Sequence, residues 1–567
     1  MENKDIIIGI DLGTTTTEAA VFRNGKAEMI PSFDGSFAIP SAVGIDDGGN
    51  FIVGEKARAQ YVLAPERTAI EIKRRIGTDE KIRLGNREYT AVELSARILE
   101  YVKRYAEEYL GMPVSRAVIS VPAYFDDRQR RETAEAGRLA GFSVERIINE
   151  PTAAALSYGI SHLEEESHIL VYDLGGGTFD VTVLEMFNGV LEVKATSGDN
   201  RLGGKDFDQC LICWLRERFE KKYEISLKGD VYAASRLKEA AEKCKIALST
   251  QEEARVEVPM LAEKDGVPMG LEETVTREMF ESLIEEDLKR THGPVQIALG
   301  DGGIRAEDLD LVLLAGGSTR IPLVRRKIRE MLGKEPSQAI HPDYSIAEGA
   351  AVQAGILDGA VDEESSLVMT DVNPYTLGIR AMDEYSADRM SVIIPRNVTI
   401  PVTRTERYYT SWDGQHTASI EVYQGEHRTV ERNHLVGQFD ISGIPPAPAG
   451  QEEIDVSFSY NLDGILQVSA KIVSTGKEAS VTIHMTEAGK KEDVSGWKNS
   501  SIAGRFRALV RRAEKAAKSA AETGNQELAK DLEEILYELK LAVCRGDLER
   551  AEYMEDDLRD CLDEGER

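Results

Sequence analysis

At 567 residues the chain is too long for one hydrophobic core and calls for three or four compact units. Hydrophobic residues make up 42% and charged residues 30%, an ordinary globular mix, and no apolar run approaches the roughly eighteen residues that a membrane span needs. The formal charge of -30, with no segregated basic face, excludes a general nucleic-acid binder, because one polyanion repels another.

The first residues, MENKDIIIGI, enter a strand-like apolar run with no basic leader and no cleavage site, so the expectation is a soluble cytoplasmic protein with no membrane partner. From 1 to about 362, short β-rich runs (IIIGI, AVISV, ILVYDL, LVLLAGG) alternate with helical stretches such as AVELSARILEYVKRYAEEYLG, which predicts an α/β architecture. Cys210 and Cys213 fall inside FDQCLICWLRERF, where apolar residues recur at helical spacing. With no second pair to complete a zinc site, core packing is the better reading. The other cysteines are Cys244, Cys544 and Cys561, and the odd total is a poor disulfide framework.

The segment DEESSLVMTDVNP is too short for a domain and reads as a linker. From about 373 to 485, alternating runs such as ASIEVYQGE and IDVSFSYNLDGILQVSAKIV predict a β-sandwich. From about 500 the chain is helical. Phe506, Leu509, Val510 and Ala513 share one face; Leu528, Leu532, Ile535 and Leu539 share another; Leu548, Ala551, Met554 and Leu558 share a third. Breaks at Thr523-Gly524-Asn525 and Gly546-Asp547 divide this stretch into a bundle of three helices.

One phrase occurs twice: IDLGTTTTE at 10–18 and YDLGGGTFD at 172–180, with a third glycine turn in LLAGGSTR at 313–320. A strand that ends in aspartate and turns through glycine exposes backbone N–H groups to which a phosphate can come close, and threonine hydroxyls add donors. Asp11 and Asp173, one at the mouth of each turn, suit a hydrated magnesium, which takes only one or two carboxylates. Two such loops clasping one nucleotide would explain the repeat.

The phrases IIIGIDLGTTTT, EIKRRIG, VPAYFDDRQR, INEPTAAALSYG, YDLGGGTFD, RLGGKDFD, RLKEAAEKCKIALS, LLAGGSTRIP and HPDYSIAEGAAVQAG stand in the order found in the heat-shock 70 kDa chaperone family typified by DnaK. NPYTLGI, NVTIPV, YQGE, GQFDISGIPPAP and DGILQVSAK continue that order, so the resemblance covers roughly residues 5 to 485. The short tail and the linker ending in Thr-Asp are most similar to the HscC-like branch. The resemblance implies a multidomain chain: an α/β actin-like (ribonuclease H-like) two-lobed ATPase over 1–365, an interdomain linker over 366–372, a β-sandwich substrate-binding domain over 373–485 and a short helical lid or tail over 486–567.

It also implies residue roles. Gly13, Thr14 and Thr15 match the first phosphate loop; Gly175, Gly176, Gly177 and Thr178 match the second, with Gly203 and Gly204 beside it. Asp11, Asp173 and Asp180 match the carboxylates that arrange magnesium, potassium and the attacking water. Lys73 matches the lysine that reaches the γ-phosphate, although a surface basic cluster with Arg74 and Arg75 is the reading of EIKRRIG by itself. Glu150 matches a carboxylate near the attacking water, and also suits a capping charge before Pro151. Glu242, Lys245 and Ser249, whose i+3 and i+7 steps share one helical face, match the adenosine pocket together with Gly316, Gly317, Arg320 and Asp343.

Pro122, Arg130 and Asp371 match residues that pass the nucleotide state between domains, and Ile379, Met382, Tyr408, Ser411, Ala418 and Ile420 match a slot for extended apolar peptides, with sandwich core as the alternative for each. The implied cofactors are ATP/ADP, Mg2+ and K+. The implied partners are unfolded polypeptide and a J-domain co-chaperone, with room for a nucleotide-exchange factor, and the chain is expected to be a monomer. Departures from the family pattern are Thr16 in place of asparagine, a linker without a continuous leucine run, Ala418 in place of a larger β-branched residue, and a tail of about 80 residues. Two other classes stay open: an exchange factor or sensor that binds ATP but hardly hydrolyses it, and a different protein on the same fold, such as a sugar kinase or a filament.

Overall fold

Each copy of the doubled phrase sits at the turn of an antiparallel hairpin. Ile7–Leu12 pairs with Thr16–Arg23, and Ser167–Leu174 pairs with Phe179–Phe187. In both cases the first strand also has a parallel neighbour, Arg116–Val121 in one half and Leu311–Ala315 in the other. Strands paired in this way are covered on both faces, which is why IIGIDL is buried throughout instead of alternating. The computed structural model describes residues 6–361, 367–382, 388–461, 466–482 and 502–523, with scattered positions besides from 497 onward. The chain forms two compact units, Met1–His484 and Met485–Arg567.

Two six-stranded sheets anchor the first unit. One runs Ser143–Asn149, Arg116–Val121, Ile7–Leu12, Thr16–Arg23, Lys26–Met29, with Ala38–Pro40 also on Thr16–Arg23. The other runs Leu311–Ala315, Ser167–Leu174, Phe179–Phe187, Val190–Asp199, Val368–Val372, Thr399–Ile400. The helices Glu150–Gly159 and Ser345–Leu357 join them in one apolar cluster, with Val118 and Ile148 from the first sheet and Ile169 and Leu313 from the second. Small residues make this join possible. A Cβ on Gly349 would lie 1.7 Å from the carbonyl oxygen of Ala153, and one on Gly9 would lie 2.1 Å from the amide nitrogen of Ala351.

Each sheet has its own core on its outer face. The first packs on the helix Ala91–Leu110, which starts at a reciprocal cap between Thr90 and Glu93 and ends at the left-handed Gly111. The second packs on Gly204–Tyr223 and Val231–Leu248; Cys210 packs at the edge of this core as expected, Cys213 is half-buried and is not part of it, and Cys244 is buried within it.

The segment read as a linker is not structureless. Val368–Val372 is a strand, parallel to Val190–Asp199 and antiparallel to Thr399–Ile400. Val372 and the preceding Leu367 are buried, while Val368 is exposed. Backbone pairing to an existing sheet edge makes the strand, which a run of five residues, even with Val368, Thr370 and Val372, could not specify alone. Beyond it lie two four-stranded antiparallel sheets, Arg389–Ile394, Leu377–Ala381, Thr417–Gln424, His434–Ser442 and Val402–Tyr409, Glu453–Tyr460, Leu466–Ile472, Glu478–Thr482.

In the second unit, the helix Ala503–Thr523 buries Phe506, Val510, Ala513 and Ala517 in a cluster with Leu532, Leu539, Ala551 and Leu558. Leu509 and Ile535 are partly buried against it. The expected positions Leu528, Leu548 and Met554, and both expected helix breaks, lie outside the described residues. Among the described residues, no helix is long and apolar enough to cross a membrane.

Candidate active site

Between the two halves of the first unit lies a cleft of about 580 Å³. Its walls carry Asp11, Gly13, Thr14 and Thr15 from the first phrase and Asp173, Gly175, Gly176 and Thr178 from the second. Lys73 and Glu150 line it as well, and so do Glu242, Lys245, Ser249, Gly316, Gly317, Arg320 and Asp343. The glycines are where two loops meet. A Cβ on Gly176 would fall 2.1 Å from the Thr15 hydroxyl, one on Gly177 would crowd Thr14, and one on Gly203 would lie 2.5 Å from the Gly177 amide nitrogen. Gly316, at φ 79°, brings the third glycine turn against the Leu174 backbone, where a Cβ would lie 2.4 Å from the Leu174 carbonyl oxygen.

Carboxylates crowd the floor. Burial pushes Asp11 up to about 7, with Glu150 adding to the effect and Lys73 opposing it, while the Ser120 hydroxyl donates to Asp11 Oδ1 at 2.7 Å. Burial and then Glu150 push Asp180 up to about 8, although the Tyr124 N–H donates to its Oδ1 at 3.0 Å. Asp173 is held well above the ordinary carboxylate range by burial, then by Glu150, Asp180 and Asp11. Lys73 is buried and paired with Glu150. Asp173 Oδ2 and Asp180 Oδ2 are buried without a hydrogen-bond partner. Buried carboxyl oxygens without a partner, beside a single lysine, fit an incoming cation, whose charge would favour their ionised form.

The residues expected to face adenosine form a charged lattice. Lys245 Nζ lies 2.8 Å from Asp208 Oδ1 and donates to the Gly204 carbonyl at 3.0 Å. Glu242 receives Lys205 Nζ at 2.9 Å and, from the first half, Arg58, which also reaches Glu239 at 3.0 Å. Burial alone would raise the Glu242 carboxyl; Lys205 and then Arg58 outweigh it and hold it below the usual range. Arg320 pairs with Asp343 at 2.5 Å. Arg74, which EIKRRIG by itself would place in a surface basic cluster, reaches across to Asp206 at 2.6 Å and the Gly177 carbonyl at 3.2 Å.

Beside Glu150 in the chain, Asn149 belongs to a hydrogen-bonded path that leads to the strand Val368–Val372. Arg130 donates to the carbonyls of Ala123 and Phe125 and, at 2.6 Å, to Asn149 Oδ1. Asn149 Nδ2 donates to Asp371 Oδ2 at 2.8 Å, and Asp371 belongs to the linker strand. Asn149 is next in chain to Glu150, so one turn faces the cleft on one side and the linker on the other. Pro122 joins only through its carbonyl, which accepts from the Phe125 N–H at 3.1 Å.

The best-matching family model, described as Hsp70 protein, covers residues 7–564. The chain belongs to the Hsp70 family. Among similar proteins is one named Chaperone protein DnaK from Thermotoga neapolitana, 43% identical over 98% of this chain and 96% of that protein. The protein of the same name from Thermotoga maritima is 44% identical over the same shares, and that from Thermosipho africanus is 46% identical over 87% of this chain and 82% of its own length.

The Hsp70 resemblance also pointed to six peptide-slot positions. Ile379 stands opposite Val422 and Ser391, and Ala418 and Ile420 alternate with Val422 along the next strand, so these residues share one face of the first four-stranded sheet. Tyr408 lies on the second sheet and reaches back, its hydroxyl donating to Ser391 Oγ at 2.9 Å. Ser411 lies in the connection between the sheets, with its N–H on Gln415. Met382 is 62% exposed just past the strand Leu377–Ala381. Sequence reasoning missed Asn149, Arg58, Lys205, Asp208, Ser120 and Tyr124. Asn149, Lys205 and Asp208 stood inside phrases already singled out, INEP and RLGGKDFD; Arg58 carried no local signal.

Proposed function

We propose that this Hsp70-family chain is an ATP-dependent chaperone that binds and releases extended apolar segments of unfolded proteins, driven by slow ATP hydrolysis and regulated by a J-domain partner. The division proposed is an ATPase over 1–365, a linker over 366–372, a peptide-binding domain over 373–485 and a helical tail over 486–567, in an HscC-like branch. One observation carries the reading: the turn that presents Glu150 to the cleft also hydrogen-bonds, through Asn149, to Asp371 of the linker strand.

The chemistry asked of the cleft is phosphoryl transfer to water, which needs positioning and charge stabilisation more than covalent catalysis. The backbone of the two glycine loops and the hydroxyls of Thr14, Thr15 and Thr178 present donors to phosphate oxygens. Lys73 places a cation toward the terminal phosphate, while Glu150, oriented by Lys73, accepts a hydrogen bond from the attacking water. Magnesium held through water by Asp11 and Asp173, with potassium near Asp180, would offset negative charge on the phosphates. On the base side, Glu242, Lys245, Ser249 and Arg320 hold the adenosine.

The coupling is mechanical. Glu150 responds to the terminal phosphate, Asn149 moves with it, and Asp371 gains or loses its partner. Three further contacts bind the same two parts. Arg396 pairs with Asp301 at 2.7 and 3.0 Å, Asn397 Oδ1 accepts from the Thr196 N–H at 3.0 Å, and the Tyr375 hydroxyl donates to the Tyr124 carbonyl at 2.7 Å.

The test is single-turnover ATP hydrolysis with magnesium and potassium, alone and with an apolar peptide plus a J-domain. Slow basal turnover, stimulated by both additions and lowered at least about a hundredfold in Lys73→Ala, is expected. Tight ATP binding without stimulation would favour a sensor or exchange factor instead.

A further inference from the structure

Lys205 occupies an unfavourable place. It is the second residue of the helix Gly204–Tyr223, where the helix dipole disfavours a cation, and it is 7% exposed, so its ammonium has little water to lean on. Something must compensate it. Its Nζ lies 2.9 Å from Glu242 Oε1 and 3.7 Å from Asp208 Oδ2. Its backbone N–H donates to the Gly176 carbonyl at 2.9 Å, and that of Gly204 to the Gly175 carbonyl at 3.0 Å. One residue therefore holds the second phosphate loop with its main chain and the Glu242 carboxylate with its side chain.

Glu242 keeps capacity for a ligand. A carboxylate has about four acceptor sites. Lys205 uses one on Oε1 and Arg58 one on Oε2, which leaves an acceptor on each oxygen, and Glu242 lines the cleft. Arg58 comes from the opposite half of the molecule, so its grip depends on how the halves sit. Lys205 shares the second half with Glu242 and is the constant partner.

We propose that Lys205 is a positioning residue for nucleotide recognition, fixing the Glu242 carboxylate to accept from ribose hydroxyls and tying the sugar-binding wall of the cleft to the phosphate loop. This rests on the reading of the cleft as an ATP site. A lysine that only neutralised Asp208 would affect all nucleotides alike; one that aims Glu242 affects sugar discrimination.

The experiment measures calorimetric affinities of the full chain, with magnesium, for ATP and 2′-deoxy-ATP. The wild type is expected to prefer ATP. Lys205→Met should cut that preference about tenfold, the equivalent of one charge-assisted hydrogen bond, while Lys205→Arg keeps most of it. Glu242→Gln should cut the preference to the same extent, with no further loss in Lys205→Met/Glu242→Gln.

A preference unchanged in Lys205→Met, with both affinities weakened alike, overturns the proposal. If Lys205→Met does not fold, Glu242→Gln decides, and an unmoved preference there overturns it equally. A wild type that binds neither nucleotide overturns the ATP reading itself and this inference with it; binding of ATP with an unmoved preference overturns only this inference.

Discussion

Asp11, Asp173 and Asp180 are acids that the fold holds in a place where they resist ionising. Burial lifts Asp11 to about 7 and Asp180 to about 8, far above their ordinary 3.8. The folded chain thus binds these protons more tightly than the unfolded chain, and the associated stability is present below the ordinary value and lost as pH rises through 7 to 8. Without metal or nucleotide, the melting temperature is expected to fall by a few degrees between pH 6 and pH 8. Magnesium with ADP should flatten or reverse that slope, because a cation favours the ionised carboxylates. Thermal melts across this range check it; a melting temperature that rises with pH in the metal-free chain would contradict the electrostatic account.

In the proposed cycle, single elements carry the coupling. The linker strand is held by three backbone register pairs with Val190–Asp199 and by the side chain of Asn149 on Asp371. Asn149→Ala removes the 2.8 Å donor to a buried carboxylate that keeps the Thr152 hydroxyl at 3.4 Å and the Val372 N–H on its other oxygen, at a cost of about 1 kcal/mol to the docked strand, and leaves Lys73 and Glu150 in place. Basal hydrolysis should stay within a few-fold of wild type while stimulation by peptide is lost, as single-turnover rates with and without peptide will show. Equal stimulation in the variant would mean that the linker takes its signal elsewhere. The same strand marks a limit of sequence reading. LVMTDV is too short an alternation to announce a strand, since one partner, Val190–Asp199, lies far earlier in the chain and the other, Thr399–Ile400, lies beyond it, whereas the two glycine-turn hairpins were legible from a long apolar run, an acid and a glycine turn in one local phrase. Arg58 was illegible for the linker's reason: its meaning depends on Glu239 and Glu242 across the cleft.

At the scale of the molecule, the alternation that predicted an α/β section followed by β-rich and helical sections matches the order of elements, and family membership accounts for that order. What no local pattern announced is how closely the connections of the four-stranded sheets lie against the α/β section, Arg396 on Asp301 and Tyr375 on Tyr124, beside the strand contact of Asp371 with Asn149. Those contacts, polar apart from the packing of the Tyr124 and Tyr375 rings at 4.5 Å between centroids, suit an interface that is made and broken in a cycle, where an extended apolar seam would be permanent. Interdomain coupling of this kind is reciprocal: if ATP shifts the affinity for peptide, peptide shifts the affinity for ATP by the same factor.

The dissociation rate of a fluorescent apolar peptide from the full chain, measured by stopped flow before and after ATP addition, tests this most directly. The account predicts release at least about tenfold faster with ATP than with ADP, a coupling within the usual allosteric range, and loss of most of that acceleration in Asn149→Ala. Identical release in ATP and ADP would contradict it.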